Sequence, residues 1–125
     1  MTKPTVYLLI AGSRTFDDEP LMARELYETL GALDTLGYEN IKIISGMAPG
    51  ADTSAVKLAK LAGIELIAMP ADWDTHGKAA GPIRNREMAK LATHALLFWD
   101  GQSRGTKSMI EELEAAGKPY QLVVY

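Results

Sequence analysis

Apolar residues gather in five short runs: Thr5 to Ala11, Ile41 to Ser45, Ile64 to Met69, Ala95 to Trp99 and Tyr120 to Val124. Each run is bounded by polar or glycine-containing stretches and reads as a β-strand. Most of the runs are continuous, as in Val6-Tyr7-Leu8-Leu9-Ile10 and Ala95-Leu96-Leu97-Phe98-Trp99, where a strand with one wet face would alternate. A strand that is apolar at every position is buried on both faces, which predicts a parallel sheet covered by helices on each side.

The segments between the runs carry the helical period. Met22, Leu26, Leu30 and Leu33 form one stripe, and Ala55, Ala59 and Ala62 a second. Met88, Leu91 and Ala92 form a third, and Met109, Ile110, Leu113 and Ala116 a fourth. Gly37, Gly63 and Gly117 fall just past three of these stripes, where a residue free to take positive φ ends a helix, and Pro119 follows the last. Strict alternation of strand and helix implies right-handed crossovers. The predicted architecture is therefore α/β, a three-layer, Rossmann-like, doubly wound and mainly parallel five-stranded sheet.

Length and composition narrow this further. A chain of 125 residues, 47% hydrophobic and 23% charged, fits one globular domain, 1–125, with no linker or repeat. It contains no cysteine, which excludes disulfides, thiolate metal sites and cysteine nucleophiles. A net charge of -3 argues against wholesale coating of nucleic acid or anionic membrane, so nucleic acid is not the expected partner. No run approaches the roughly 20 apolar residues of a membrane span, and Val6 to Ala11 is too short for a secretory core, so the expected location is the cytoplasm.

In a doubly wound sheet the ligand crevice lies beyond the carboxyl ends of the strands. After the first strand comes Gly12-Ser13-Arg14-Thr15; after the second, Ser45-Gly46-Met47-Ala48-Pro49-Gly50-Ala51-Asp52; after the fourth, Asp100-Gly101-Gln102-Ser103-Arg104-Gly105-Thr106. Each glycine-containing turn is read as leading to a helix N-terminus, where free N–H groups and the positive end of the helix dipole favour an anion. Any one of these glycines could equally serve a tight turn. Arg14, Lys78, Arg84, Arg86, Arg104 and Lys107 all fall in or near the same loops, so positive charge is focused on one rim of an acidic chain, and arginine suits bidentate phosphate recognition. Together these features predict a phosphate-bearing ligand.

Other residues keep two readings. The connection Pro70 to Pro82 is about twice the usual length of such a loop. Its Trp73 either stacks on a base or anchors the loop to the core. Asp72, Asp74 and His76 would share one side of an extended chain, but hard metals recruit more oxygen ligands than these offer, so no metal site is expected. His94 reads as a strand-end residue and Trp99 as core. Asp52 either caps the second helix or accepts from ligand hydroxyls, and Asp100 has the same two readings. There is no Walker sequence, no Gly-x-Gly-x-x-Gly and no Gly-x-Ser-x-Gly elbow, which disfavours an NTPase, a standard dinucleotide oxidoreductase and an α/β-hydrolase.

Six ordered motifs carry a family resemblance: Ala11-Gly12-Ser13-Arg14-Thr15-Phe16; Ser45-Gly46 with Gly50-Ala51-Asp52; Ala71-Asp72-Trp73; Gly77-Lys78-Ala79-Ala80-Gly81-Pro82; Arg84-Asn85; and Phe98-Trp99-Asp100-Gly101 with Ser103 and Gly105-Thr106. The set resembles the YspA-like branch of the SLOG superfamily over nearly the whole chain. The resemblance implies a Rossmann-like domain that binds nucleotides or nucleotide-derived ligands at these loops and often dimerises or assembles further. Its wider membership includes LOG phosphoribohydrolases, DprA proteins that bind single-stranded DNA, and sensors of ADP-ribose-like signals.

Gly101 to Thr106 is similar to the LOG phosphate-binding segment Pro-Gly-Gly-x-Gly-Thr, with Gln102 and Ser103 where two glycines would stand. Arg84-Asn85 is similar to the LOG Arg-Lys pair, which implies a ligand-binding or catalytic role for Arg84. The LOG pattern continues to a glutamate whose position is Met109 here, and methionine can neither stabilise an oxocarbenium-like centre nor activate water.

The expected function is accordingly a binding module, a sensor or sequestering protein for a phosphorylated nucleoside or an ADP-ribose- or NAD-derived ligand, with no cofactor required. Its expected contacts are Gly12, Ser13, Arg14, Ser45, Gly46, Gly50, Asp52, Trp73, Lys78, Arg84, Asn85, Asp100, Gly101, Ser103, Gly105 and Thr106. The alternative is a nucleotide N-glycosidase working through Arg84 with Asp52 or Asp100. A weaker alternative is local single-stranded DNA binding through the basic rim and Trp73.

Overall fold

Val6, Leu8 and Ile10 face one hydrophobic cluster while Leu9 and Ala11 face another, so the first strand is walled on both sides as its unbroken apolar run requires. The computed structural model describes residues 4–125. In chain order its strands are β1 (Thr5–Gly12), β2 (Asn40–Ser45), β3 (Glu65–Ala68), β4 (His94–Trp99) and β5 (Tyr120–Val124). Its helices are α1 (Glu19–Thr35), α2 (Ala51–Ala62), α3 (Trp73–His76), α4 (Ala80–Leu91) and α5 (Arg104–Ala115), with a 3₁₀ turn over Gly77–Ala79.

The five strands form one parallel sheet in the order β3-β2-β1-β4-β5. Buried residues of α1 and α2 join the first cluster with Phe16, Ile43, Leu96 and Phe98. Those of α4 and α5 join the second with Ile44, Ala95 and Leu97. The sheet is thus doubly wound in three layers, as the alternation of elements predicts. The chain runs outward from β1 to β3, then returns to place β4 beside β1, with Gly12 opposite Phe98 at the end of that pairing. That reversal opens a crevice between the loops after β1 and β4.

The stretch Pro70 to Pro82, expected as one long loop, is mostly helical. Asp72 caps α3, its carboxylate accepting from the Thr75 N–H at 3.1 Å, and the 3₁₀ turn runs straight into α4. Gly81 and Pro82 lie inside the first turn of α4, where the missing proline N–H has no intrahelical acceptor to lose. Arg84 and Asn85 therefore sit on a rigid helix rather than a loop. The β1 turn also departs from expectation: α1 begins only at Glu19, capped by Asp18, so Gly12 and Ser13 are not part of a helix N-terminus. Among the described residues no helix is long and apolar enough to cross a membrane.

Candidate functional site

Glycine at three positions lets the rim loops close on one another. A Cβ on Gly12 would strike the Phe98 carbonyl, and one on Gly50, at φ +83°, would strike the backbone of Ser13 and Arg14. Gly50 thus brings the start of α2 against the β1 turn, where the Ser13 carbonyl accepts from the Ala51 N–H at 3.2 Å. A Cβ on Gly46 would lie 2.7 Å from Arg84 Nη1 and 2.9 Å from Asp52 Oδ2, so this glycine makes room for both charged groups.

The crevice holds a cavity of about 300 Å³ lined by Gly12, Arg14, Asp52, Arg84, Asn85, Ser103, Arg104, Gly105 and Thr106, with Ala11, Ala48, Met88 and Met109 completing its walls. Arg84 is aimed by its neighbours. Its Nη1 donates to the Gly46 carbonyl at 2.7 Å and its Nε to Asn85 Oδ1 at 3.1 Å, and its Nη2 makes no hydrogen bond among the described residues. Asn85 is buried and donates through Nδ2 to the Gly105 carbonyl and Ser108 Oγ. It thereby ties α4 to the start of α5. Burial pushes the Arg84 guanidinium below its ordinary value, opposed by the nearby Asp52 carboxylate, yet arginine stays charged. Arg14 and Arg104 are exposed, and neither makes an ion pair among the described residues.

Asp52 is 5% exposed. It is not the helix cap that one reading of the sequence offered: Gly50 occupies the cap position of α2, and the Asp52 carboxylate instead accepts from the Ala48 N–H at 3.2 Å. Burial pushes its pKa up to about 6, against the opposing pull of the Ala48 N–H, Arg84 and Arg14. A carboxyl group that titrates near neutrality in a cavity with arginines is able to accept or release a proton there.

At the far wall, the Ser103 hydroxyl caps α5 by accepting from the Thr106 N–H and from Thr106 Oγ1. The N–H groups of Arg104 and Gly105 in the first turn have no partner among the described residues, and a Cβ on Gly105 would meet open space. The end of this helix is therefore able to receive an anion. Met109, at the position where a LOG enzyme carries glutamate, is buried and forms part of the cavity wall with Met88.

A second cavity, of about 430 Å³, shares Arg14, Ala48 and Arg84 with the first. Gly46, Met47, Pro49, Pro70, Ala71 and Trp73 line the rest. Trp73 is 50% exposed, which sets aside the reading that it anchors the loop in the core.

The remaining expected contacts are structural fasteners or lie away from both cavities. Buried Ser13 accepts through Oγ from the Asp100 N–H, and buried Ser45 donates through Oγ to the Asp52 carbonyl while accepting from the Met47 N–H. Asp100 accepts from the N–H groups of Gln102 and Ser103, which hold its carboxylate below the usual range. Gly101 takes φ +83° in that same turn, and Gly50 packs on backbone. Lys78 lines neither cavity. Ala11, Ala48, Met88, Arg104 and Met109 in the first cavity and Met47, Pro49, Pro70 and Ala71 in the second are wall residues absent from the expected contacts; of these the charge of Arg104 and, through the resemblance, the place of Met109 were legible. The partly buried Trp99 donates its indole N–H to the Ser103 carbonyl at 3.0 Å and steadies the turn.

Away from this rim, a groove of about 400 Å³ runs between α1 and the starts of β4 and β5, lined by Glu25, Glu28, Leu36, His94 and Tyr120 among others. Burial lowers the His94 pKa, and the two glutamates make this groove unsuited to an anion. Asp72, Asp74 and His76 are not gathered into a metal-binding group, and no such group of three or more carboxylate or imidazole side chains occurs among the described residues.

Comparison with known proteins agrees with the architecture. The model of the YspA, cpYpsA-related SLOG family matches residues 6–76. The chain is also similar to the Gene 61 protein of Mycobacterium phage D29, at 33% identity over 118 residues, covering 90% of this chain and 91% of the phage protein. No solved structure matches the chain.

Proposed function

The chain belongs to the YspA, cpYpsA-related SLOG family, and on that premise we propose that it is a binding module for a phosphorylated nucleoside or an ADP-ribose- or NAD-derived relative. Membership favours a nucleotide-related ligand in general. The observation that carries the reading is the cavity between β1 and β4, where Arg14, Arg84 and Arg104 meet the two unpartnered N–H groups at the start of α5. Fixed donors and arginine forks in one concave site match the charge and geometry of a phosphate. Asp52 accepts from a sugar hydroxyl. Met109, with Met88 also in the wall, supplies an apolar surface at the position where a hydrolase of the related LOG type carries a carboxylate, so the ligand leaves intact and the protein acts as a sensor or a sequestering protein.

The test is Arg84→Ala. It is expected to weaken binding of adenosine monophosphate or ADP-ribose by roughly tenfold to a hundredfold while the chain still folds cooperatively, melting somewhat lower at neutral pH because Arg84 no longer offsets the buried Asp52 carboxylate. Unchanged affinity overturns the assignment.

One observation favours a second reading, hydrolysis of the N-glycosidic bond. Asp52 lies in the same cavity with a pKa raised to about 6, which suits a group that changes protonation during a reaction. Release of free base that disappears in Asp52→Asn would establish this reading over the first.

A further inference from the structure

The second cavity differs in chemistry from the first. Its outer walls are Met47, Pro49, Pro70, Ala71 and Trp73, so beyond the shared arginines it is apolar. Trp73 projects from the four-residue helix α3, and its Cη2 would lie 3.4 Å from a Cβ on Gly81, so the ring rests on the start of α4 where no side chain intervenes. Half of the residue stays open. Met47 is 44% exposed and takes φ +63°, the one left-handed residue other than glycine among those described.

A side chain at such an angle costs stability relative to glycine, and strain of this kind persists where its surroundings impose it. Here Ser45 Oγ accepts from the Met47 N–H at 3.1 Å and donates to the Asp52 carbonyl, tying the conformation of Met47 to α2. An open indole and a polarizable thioether line one cavity, and both are surfaces on which a flat aromatic ring packs well.

We propose that the Trp73 and Met47 cavity seats the base of a nucleoside phosphate whose phosphate occupies the neighbouring arginine cavity, the ligand passing Arg14 and Arg84 where the two join. The proposal rests on the phosphorylated-nucleoside reading above and adds where the base sits and which two side chains select it. Trp73 and Met47 are then the specificity-determining residues.

The experiment is calorimetric titration of the full chain with AMP, GMP, CMP and UMP, with adenosine and with ribose 5-phosphate, alongside tryptophan fluorescence. At least one nucleotide is expected to bind more tightly than ribose 5-phosphate and to quench fluorescence. Trp73→Ala is expected to lower that nucleotide's affinity roughly tenfold or more, as loss of one base–aromatic stack does, and to leave ribose 5-phosphate within about twofold. Trp73→Phe is expected to keep most of the affinity and lose the quench, since the remaining tryptophan, Trp99, bonds to Ser103 on the other side of the rim. Met47→Gly is expected to weaken nucleotide binding while melting no lower than the native chain, the mark of a strained residue kept for a contact.

Equal loss of nucleotide and ribose 5-phosphate in a folded Trp73→Ala variant overturns the base seat, as does unchanged nucleotide affinity. Tight binding of ribose 5-phosphate with no gain from any base also overturns it and spares the phosphate reading. Binding of adenosine with no added affinity from phosphate sinks the phosphate reading and spares the base seat. Binding of none of these compounds sinks both.

Discussion

Asp52 is where burial and charge oppose each other most directly. Its carboxyl titrates near 3.8 in an unfolded chain and at about 6 in the fold, because removing the anion from water outweighs the help of Arg84 and Arg14. A raised acid pKa means that the folded state holds the proton more tightly. The penalty for burying the anion is therefore fully present above about pH 6, and it is relieved as pH falls towards 4. The difference corresponds to about 3 kcal/mol. Urea unfolding should show the native chain gaining stability relative to Asp52→Asn as pH falls from 7.5 to 5; a constant difference between the two chains would contradict this account. Taking that difference removes the opposite trend of His94, whose lowered pKa costs stability in acid.

The glycines separate by what surrounds them. Gly46→Ala would push chiefly on the end of the Arg84 side chain and on the Asp52 carboxylate, so it should impair ligand binding more than folding. Gly50→Ala has positive φ and backbone in its way, and should cost about 2 kcal/mol or more of stability. Thermal melts beside binding isotherms would tell the two lesions apart, and similar melting losses would refute the distinction.

Among the elements, the helix starts decide what the site presents. Ser103 caps α5 by taking the Thr106 N–H, leaving the donors of Arg104 and Gly105 unpartnered. Ser103→Ala should cost about 1 kcal/mol through the lost cap, and should weaken phosphate binding as the first turn frays. Amide exchange at Thr106 and Lys107, whose N–H groups both bond to Ser103, is the readout, and unchanged protection would contradict the role.

The central strands β1 and β4 were legible because parallel strands buried on both faces leave continuous apolar runs; β5 agrees at both ends, β1, β2 and β4 differ by one residue at one end, and β3 by one residue at each end. The start of α4 was not legible, because Gly81 and Pro82 read as breakers unless their place in a first turn is known. The rim glycines and arginines pointed in the sequence to the loops that line the crevice. The division between wall and fastener was not legible, because Ser13, Ser45 and Asp100 satisfy their polar groups through partners distant in sequence or by local turns of their own. Met88 was hidden for the opposite reason, since a cavity wall built from methionine has the same helical period as core, and Met109 stood out only through its place in the LOG pattern.

At the scale of the molecule, the strand order β3-β2-β1-β4-β5 places one crevice where β1 and β4 meet, and loops far apart in sequence supply its charge. The central claim is that this crevice holds a phosphorylated nucleoside without breaking it. The most direct test is to mix the protein at stoichiometric concentration with AMP, NAD, ADP-ribose and cyclic ADP-ribose in turn, pass each mixture through a size-cutoff filter, and chromatograph the filtrate and the heat-released retentate. The account predicts at least one of these ligands intact in the retentate, and lost from it in Arg84→Ala. Free base and ribose phosphate accumulating in the filtrate with time, or no ligand retained at all, would contradict it.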